Sequence, residues 1–434
     1  MQILIFSLFI GCVWSRRHVA WLGIKAYSLP VVLWLVYLAI ITLQIIPIPA
    51  SLLNNLSPNA FALQQNPIDG VFYLSVDHAQ SQISLLKSVS YFCLFLLTLM
   101  LVQDGRTLKA LLYTILITAT VQALYGSFEA LSGLKNSLVF NLPVSDLATG
   151  SFVYKNHFAN YLMLGLSAGV GIMVATLQTN DPGNRRDLFR SIINTLLSSK
   201  ALVRISLAII VIALVMSKSR MGNTAFFASM SICGLVALAL IKNRNKSLTI
   251  LIVSMFVIDL LIVSAWFGLD KVQERLTQTS LSQETRDEVV IDALPMISDY
   301  PLFGAGAGSF YGLFPQYKRA EVHGFYDHAH NDYLQMTIEH GIPATLLLGL
   351  LVLLSLYKAL YAMRHRKSSI MKGTAFAVCM AIIGMLIHMT VDFPLQAPAN
   401  AGYFVIFLAL AWVINTVEVA PKPKRRFNQH PIKS

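Results

Sequence analysis

Residues 343–361, PATLLLGLLVLLSLYKALY, form an almost uninterrupted apolar run with a single charged side chain, Lys358. A run of this length matches the roughly 20 residues that an α-helix needs to cross the hydrocarbon core of a bilayer. Similar runs recur along the chain of 434 residues, of which 56% are hydrophobic and only 12% are charged. Because apolar residues do not alternate with polar ones, the runs predict helices rather than β-barrel strands. The sequence therefore predicts an all-α polytopic membrane protein.

We predict about eleven transmembrane helices, within a range of roughly 10 to 12, by counting runs of this length. The predicted spans are residues 1–14, 28–46, 84–102, 110–127, 158–177, 201–217, 221–241, 247–267, 343–361, 374–390 and 400–417. The first run is short enough for a signal peptide. It lacks a basic start and a small-residue cleavage site, so we interpret it as a span.

The net charge of +12 comes largely from short basic clusters at every second loop between the predicted spans. Because cytoplasmic loops are enriched in Lys and Arg, the clusters mark the cytoplasmic face. The charge therefore reports membrane topology, and we expect no nucleic-acid partner. The clusters lie at residues 15–18, 106–109, 185–190, 242–246, 364–367 and 422–426.

Alternation of the spans then predicts the outward loops, which in a Gram-negative bacterium would face the periplasm. They are residues 47–83, 128–157, 218–220, 268–342 and 391–399. We divide the chain into about eight N-terminal transmembrane helices over 1–267, an outward loop over 268–342, three last helices over 343–417 and a basic cytoplasmic tail over 418–434. All four cysteines lie in apolar spans, so no external disulfide and no cysteine metal site is predicted.

The long outward loop contains two local patterns. Residues 284–298 carry an amphipathic helical stripe that is suited to lying on a membrane surface. Residues 304–308 have three alternating glycines, a spacing that resembles a dinucleotide-binding loop. Because no strand precedes these glycines, a nucleotide site is not predicted. We interpret the segment as a tight backbone turn near a bound ligand.

Two arginines stand out on the predicted outward face. Arg220 lies at the end of a span, where an unpaired charge is costly, and its planar guanidinium suits phosphate oxygens. It could equally extend to lipid headgroups. Arg286 lies beside Glu284, Asp287 and Glu288. From the residues alone, a surface ion pair is the stronger interpretation of Arg286.

The third outward group is His330, in the polar segment that precedes the ninth predicted span. Asn331 or Asp332 can cap the following helix, which would place the imidazole at the positive end of a helix dipole. A dipole in this position keeps the ring neutral and able to accept a proton. The alternative is a histidine that only hydrogen-bonds a loop carbonyl.

The same segment offers imidazole and carboxylate groups that a metal ion could use. Asp327, His328, His330 and Asp332 lie within six residues. Histidines in a His-x-His pattern point the same way only on an extended strand, and no His-Glu-x-x-His pattern is present. We therefore predict neither a metal site nor another cofactor.

Taken together, these elements resemble the O-antigen ligase and polymerase superfamily of bacterial envelope glycan assembly. His330-Asn331, followed after nine residues by Gly341, is similar to the ligase signature, with Ala344 at a position where Gly, Thr or Tyr is usual. The resemblance covers roughly residues 150 to 400. Further elements that resemble the family, in its order, are 152–159, 219–220, 286 with 300–306, and 391–395.

The resemblance implies a metal-independent inverting glycosyltransferase in the inner membrane, moving a glycan from an undecaprenyl-diphosphate carrier to an acceptor hydroxyl on the periplasmic face. It implies that Arg220 and Arg286 hold the diphosphate and that His330 is the catalytic histidine. Membrane lipids surround such a protein. Six further residues are expected as a second tier of substrate contacts, each with an ordinary capping or headgroup role as the alternative: Lys218, His328, Asn331, Lys155, His157 and Asp392.

The acceptor is left open between three classes that share this donor chemistry. A ligase transfers to lipid A core sugar, a polymerase to a growing lipid-linked glycan, and related enzymes to protein hydroxyls. We predict the ligase type first, although residues 156–159 and 392–395 are typical of the exopolysaccharide polymerase branch. A non-catalytic transporter or flippase is a further alternative. It predicts discontinuous helices and charges near the middle of the membrane, where Asp259 is the main example here.

Overall fold

The computed structural model describes residues 1–15, 26–64, 70–139, 141, 143, 146–177, 199–241, 249, 253, 286–322 and 324–417. Within these residues the secondary structure is helical, and no strand is present. Eight of the described helices are long and apolar enough to cross a membrane. The prediction of an all-α polytopic membrane protein is therefore confirmed. The total of about eleven spans stays a prediction, since the predicted span 247–267 and the basic clusters at 15–18, 185–190, 242–246 and 422–426 lie wholly or mostly outside the described residues.

The helices follow the predicted apolar runs in order. Those of membrane-spanning length are α2, α5, α6, α7, α9, α12, α13 and α14, and α1 and α8 are shorter apolar helices. The bounds are α1 Gln2–Ser15, α2 Ser28–Ile45, α3 Ala50–Leu56, α4 Pro58–Leu63, α5 His78–Leu101, α6 Gly105–Ser132, α7 Lys155–Leu177, α8 Ser199–Met216, α9 Arg220–Leu240, α10 Arg286–Asp299, α11 Phe310–Leu313, α12 Asp332–His365, α13 Ser369–His388 and α14 Pro398–Thr416.

The centre of the bundle is the pair α7 and α13. The two helices touch backbone to backbone, because a Cβ placed on Gly171 would lie 2.6 Å from the carbonyl oxygen of Gly373, and one on Gly373 would lie 2.3 Å from that of Gly171. Small residues allow this close approach between membrane helices. Helices α6, α8 and α9 pack around α7, while α12 and α14 pack against α13. This packing fixes the N-terminus of α7 relative to the C-terminus of α13.

Helix α12 is broken at Gly341, whose φ of 81° and ψ of 165° are not helical. The break divides a short first segment, from Asp332 to His340, from a segment of membrane-spanning length. Chain from the glycine-rich turn supplies the backbone partners there, since Ile342 N–H donates to the Pro301 carbonyl (2.9 Å) and Ala305 N–H donates to the Ile338 carbonyl (2.8 Å). Partners of this kind satisfy the groups that a helix break exposes.

The glycine-rich turn packs on the backbone of α12 rather than beside an open ligand site. A Cβ on Gly304 would lie 2.4 Å from the carbonyl carbon of Glu339, and one on Gly341 would lie 2.4 Å from the carbonyl oxygen of Leu302. Both glycines also have positive φ. The prediction of a tight turn is therefore confirmed, but the partner against which these two glycines pack is the helix break.

We expect Gly304→Ala to lower the melting temperature of the purified protein clearly more than Gly133→Ala. Both positions have positive φ, 73° and 67°, which costs a non-glycine residue about 1–3 kcal/mol. At Gly133 a Cβ meets nothing within 4 Å, whereas at Gly304 it meets backbone that must move. Thermal unfolding in detergent measures the difference. Equal losses in the two variants would contradict the packing of the turn on α12.

Helix α10 belongs to a second apolar cluster outside the main bundle core. Val289 and Ala293 are buried, together with Leu334 and Ile338 from the first segment of α12. Leu294, on the predicted stripe, is 50% exposed. Part of the apolar stripe of α10 is therefore buried against the first segment of α12. The interpretation that this helix lies on the membrane surface stays a prediction.

Candidate functional site

His330 lies immediately before α12 in a conformation that is uncommon for its residue type. Its φ is +52°, and it contacts the ring of Tyr326 edge-on, with the ring centroids 6.2 Å apart. Asn331 is the N-cap of α12, because its Oδ1 accepts a hydrogen bond from Leu334 N–H (3.1 Å). The imidazole is therefore next to the positive end of a helix. A positive φ at a residue other than glycine persists only where the surrounding structure stabilises it, and such residues are concentrated at functional sites.

The loop between α13 and α14 holds the start of α12. Asp332 is fully buried, its N–H donates to the carbonyls of Met389 and Asp392 (both 3.2 Å), and its Oδ2 accepts from Leu395 N–H (2.9 Å). The side chain of Asn331 donates to the Thr390 carbonyl (2.9 Å). These bonds hold the histidine segment against the C-terminus of α13 and the loop that leads to α14.

Phe393 in this loop contacts three histidine rings at once. Its ring centroid lies 4.9 Å from that of His157, 4.5 Å from that of His328 and 4.8 Å from that of His330. The side chain of Phe393 is almost completely buried. Phe393 therefore brings together two parts of the chain that the sequence separates widely, the start of α7 and the segment before α12.

Asp392 lies among ionisable groups rather than at a helix cap. Its Oδ1 accepts from the N–H of Phe393 (2.9 Å), and its Oδ2 lies 3.8 Å from Nε2 of His388. The other ring nitrogen of His388 is 3.0 Å from Nδ2 of Asn160. The N-cap of α14 is Ala397, so the alternative in which Asp392 caps that helix is wrong. The expected role of Asp392 in the substrate site stays a prediction.

Besides contacting Phe393, the imidazole ring of His328 forms a hydrogen bond with a side chain of α12. Its Nδ1 lies 3.1 Å from Nε2 of Gln335, which also donates to Oε1 of Glu339 (2.9 Å). Burial lowers the pKa of His328 below its ordinary value of 6.5, and the positive charge of Lys87 acts in the same direction, against Asp327. This lowered pKa favours the neutral imidazole at neutral pH.

Arg220 is the first residue of α9 and is exposed. The turn before it is fixed by Ser219, whose Oγ accepts from Gly222 N–H (3.2 Å) and donates to Oδ1 of Asn156 (2.7 Å). Lys218, two residues before Arg220, is exposed and has a φ of +50°. The N-terminus of α9 is thereby held against the N-terminus of α7.

The start of α7 carries two more of the predicted residues. Lys155 is its first residue and is half-buried. His157 is buried, and its backbone carbonyl accepts from Nδ2 of Asn400 (3.0 Å). Nε2 of His157 has no hydrogen-bond partner within the described part of the chain. A buried nitrogen in this position can be satisfied by a bound substrate group or by water.

A continuous series of contacts therefore connects the arginine turn to the histidine segment. It runs from Ser219, next to Arg220, through Asn156 and His157 to Phe393, and from Phe393 to His330. Arg286 is the first residue of α10, which packs against α12 through Val289 and Ala293, but its side chain lies outside the described residues.

The metal-site alternative gains no support. Among the described residues, no three His, Cys, Asp or Glu side chains are grouped as metal ligands would be.

Three residues of this site were missed by sequence reasoning. Phe393 was part of a segment that resembles the family, but no role was assigned to it, and His388 and Asn160 lie inside predicted apolar spans. A polar side chain within a membrane span is energetically costly and often has a function, so His388 and Asn160 could have been identified as candidates from the sequence.

In a comparison with known protein families, residues 205–349 match the family model for O-antigen ligase. The matched residues include Arg220, Arg286 and His330, whereas Lys155, His157 and Asp392 lie outside them. No curated protein matches the chain.

Proposed function

We propose that the protein is a glycosyltransferase that moves a glycan from an undecaprenyl-diphosphate carrier to an acceptor hydroxyl at the periplasmic face of the bacterial inner membrane. The proposal is supported by the match of residues 205–349 to the family model for O-antigen ligase, which confirms the resemblance to this superfamily. The observation that carries the proposal is the series of contacts between the N-terminus of α9, with Arg220, and His330. This series of contacts supports a single site that includes both Arg220 and His330.

In the proposed reaction the bond between the anomeric carbon and the diphosphate oxygen breaks, and a bond from the acceptor oxygen to the anomeric carbon forms. The proton of the acceptor hydroxyl passes to the imidazole of His330 as the oxygen attacks. The electron pair of the broken bond leaves on the diphosphate, whose developing charge the guanidiniums of Arg220 and Arg286 stabilise. A single displacement of this kind inverts the anomeric configuration.

The remaining residues of the second tier have supporting roles in this proposal. Lys155, Lys218 and His157 lie on the arginine side, where they would contact the diphosphate or the first sugar. His328 and Asn331 hold the segment around His330, and Asp392 orients the buried histidines. The outward segment 268–342 would carry the motif, between N-terminal transmembrane helices over 1–267 and the last helices over 343–417, with the tail 418–434 in the cytoplasm.

The proposal is tested by deleting the gene and analysing the glycans of the cell. We expect carrier-linked glycan to accumulate and surface glycan to be lost or shortened. A ligase mutant would keep long chains on the carrier, and a polymerase mutant would show single repeat units, so the chain length separates the two acceptor classes. Complementation with the wild-type gene is the control. Unchanged carrier-linked and surface glycans would contradict the proposal.

The transporter alternative retains one observation in its favour, the discontinuity of α12 at Gly341. This break is filled by backbone from residues 301–305 rather than lining an open path. Reconstitution separates the two functions. A purified protein that moved lipid-linked glycan across liposomes without transferring it would favour the transporter.

A further inference from the structure

A cavity of about 380 Å³ lies between α2, α5, α12, α13 and α14, and none of the clustered histidines His157, His328 and His330 lines it. Its walls are mainly apolar and include Trp34, Leu348, Val352, Phe404 and Leu408. All of these residues belong to helices of membrane-spanning length. The volume is within the range of ligand sites in proteins, roughly 300 to 1,000 Å³. An apolar cavity at this depth suits the hydrocarbon chain of a lipid.

One end of the cavity is polar. Lys87, Glu339 and His340 line it there, and the two α12 residues directly precede the break at Gly341. Lys87 is half-buried within α5, and its charge acts on Glu339 and on His328. An ionisable side chain inside a membrane helix is costly and usually has a function. The cavity therefore combines an apolar body with a cationic side chain, Lys87, at its polar end, and this combination suits a lipid that carries a phosphate.

We propose that this cavity holds the isoprenoid chain of the acceptor, itself a polyprenyl-diphosphate-linked glycan, and that Lys87 contacts the acceptor's diphosphate. The inference rests on the proposed function and deepens it, because it names the acceptor class. It assigns the enzyme two lipid-linked substrates, so the reaction is glycan polymerisation.

The position of the cavity favours the acceptor over the donor. From Arg220 the contacts run through His157 and Phe393 to His328, and from His328 through Gln335 to Glu339, which lines the cavity. In this series of contacts, His157 and His328 therefore lie between Arg220 and the cavity. In an inverting displacement the nucleophile and the leaving group lie on opposite faces of the anomeric carbon. With the leaving diphosphate at Arg220, the attacking hydroxyl arrives from the side of Lys87.

The size of the cavity favours a single chain. A lipid with several acyl chains, such as lipid A, would need several such cavities or a broad open surface. A polyprenyl lipid has a single isoprenoid chain and one charged head, which suits a cavity of this volume with Lys87 at its polar end.

Gly349 provides a direct test, because it lines the cavity and a Cβ at this position meets nothing within 4 Å. Gly349→Phe would fill the cavity without moving backbone. The matched control is Leu346→Phe, which adds a ring on the same helix at a side chain that is 68% exposed. Lys87→Gln removes the charge, and Lys87→Arg keeps it.

Transfer is measured with the purified full-length protein, varying donor and acceptor separately. We expect Gly349→Phe and Lys87→Gln to raise KM for a polyprenyl-linked acceptor about tenfold or more while KM for the donor stays near that of the wild type. Lys87→Arg should restore most of the loss, and Leu346→Phe should behave as the wild type. A raised donor KM with an unchanged acceptor KM would overturn the inference.

Native mass spectrometry with undecaprenyl phosphate gives a second readout that needs no catalysis. We expect the wild type to bind two lipids and Gly349→Phe to bind one. Equal stoichiometry in both proteins, or displacement of the cavity lipid by lipid A alone, would overturn the inference. A wild type that never transfers glycan would instead contradict the proposed function, and the stoichiometry would still decide what the cavity holds.

Discussion

Replacement of His330 with alanine is expected to lower the rate of glycan transfer about a hundredfold or more, the scale on which a general base contributes to catalysis. The reason is that the acceptor hydroxyl is a weak nucleophile until its proton is removed. The backbone supports this role, since His330 keeps a φ of +52° beside the N-cap Asn331 of α12. Initial rates with purified protein and a synthetic lipid-linked donor measure the effect.

The matched control for this prediction is His328→Ala. His328 belongs to the same segment and also contacts Phe393, with the ring centroids 4.5 Å apart. Its Nδ1 is engaged by Gln335, so we assign it a supporting role and expect a much smaller loss of rate. Thermal unfolding of both variants would show whether either loss reflects folding. A His330→Ala protein that is folded and retains most of its activity would exclude this histidine as the base.

Loss of either proposed diphosphate ligand should have an effect of similar size. We expect Arg220→Ala and Arg286→Ala each to reduce transfer about a hundredfold or more, because each removes a charge-assisted donor from the leaving group in the transition state. Lysine at either position should restore only part of the rate, since it keeps the charge but loses the planar pair of donors. The measurement is the rate of polyprenyl diphosphate release.

Arg204→Ala is a suitable control for the arginine variants. Arg204 is exposed on α8 and lies at the far end of that helix from the turn that carries Arg220. We expect its replacement to leave the rate near that of the wild type. Near-normal product from Arg286→Ala would disprove the two-arginine arrangement, because the remaining guanidinium would then be sufficient.

The membrane helices could be predicted from the sequence because their formation depends on local apolar runs. The predicted ends of these helices were less accurate, because a search for apolar runs does not take account of polar capping residues. Helix α5 was predicted from residue 84 but begins at His78, where Asp77 accepts from Gln80 N–H. Helix α6 was predicted from residue 110 but begins at Gly105, after a capping box at Asp104. In both cases polar side chains satisfy the first turn outside the apolar run.

The candidate site likewise contains local features that the sequence reveals and long-range contacts that it does not. The cap at Asn331 is a local feature that neighbouring residues reveal. The contacts of Phe393 with His157 and His330 join segments far apart in sequence, and no spacing rule predicts them. The packing of Gly304 on the break of α12 is likewise a tertiary contact, which is why the glycine spacing suggested a ligand instead.

The most direct test of the account is a structure of the full-length protein with a non-reactive analogue of the undecaprenyl-diphosphate-linked donor. We predict that the diphosphate oxygens lie within hydrogen-bonding distance of the guanidiniums of Arg220 and Arg286, with the anomeric carbon facing the imidazole of His330. A diphosphate bound at Lys87, with neither arginine in contact with it, would contradict the account.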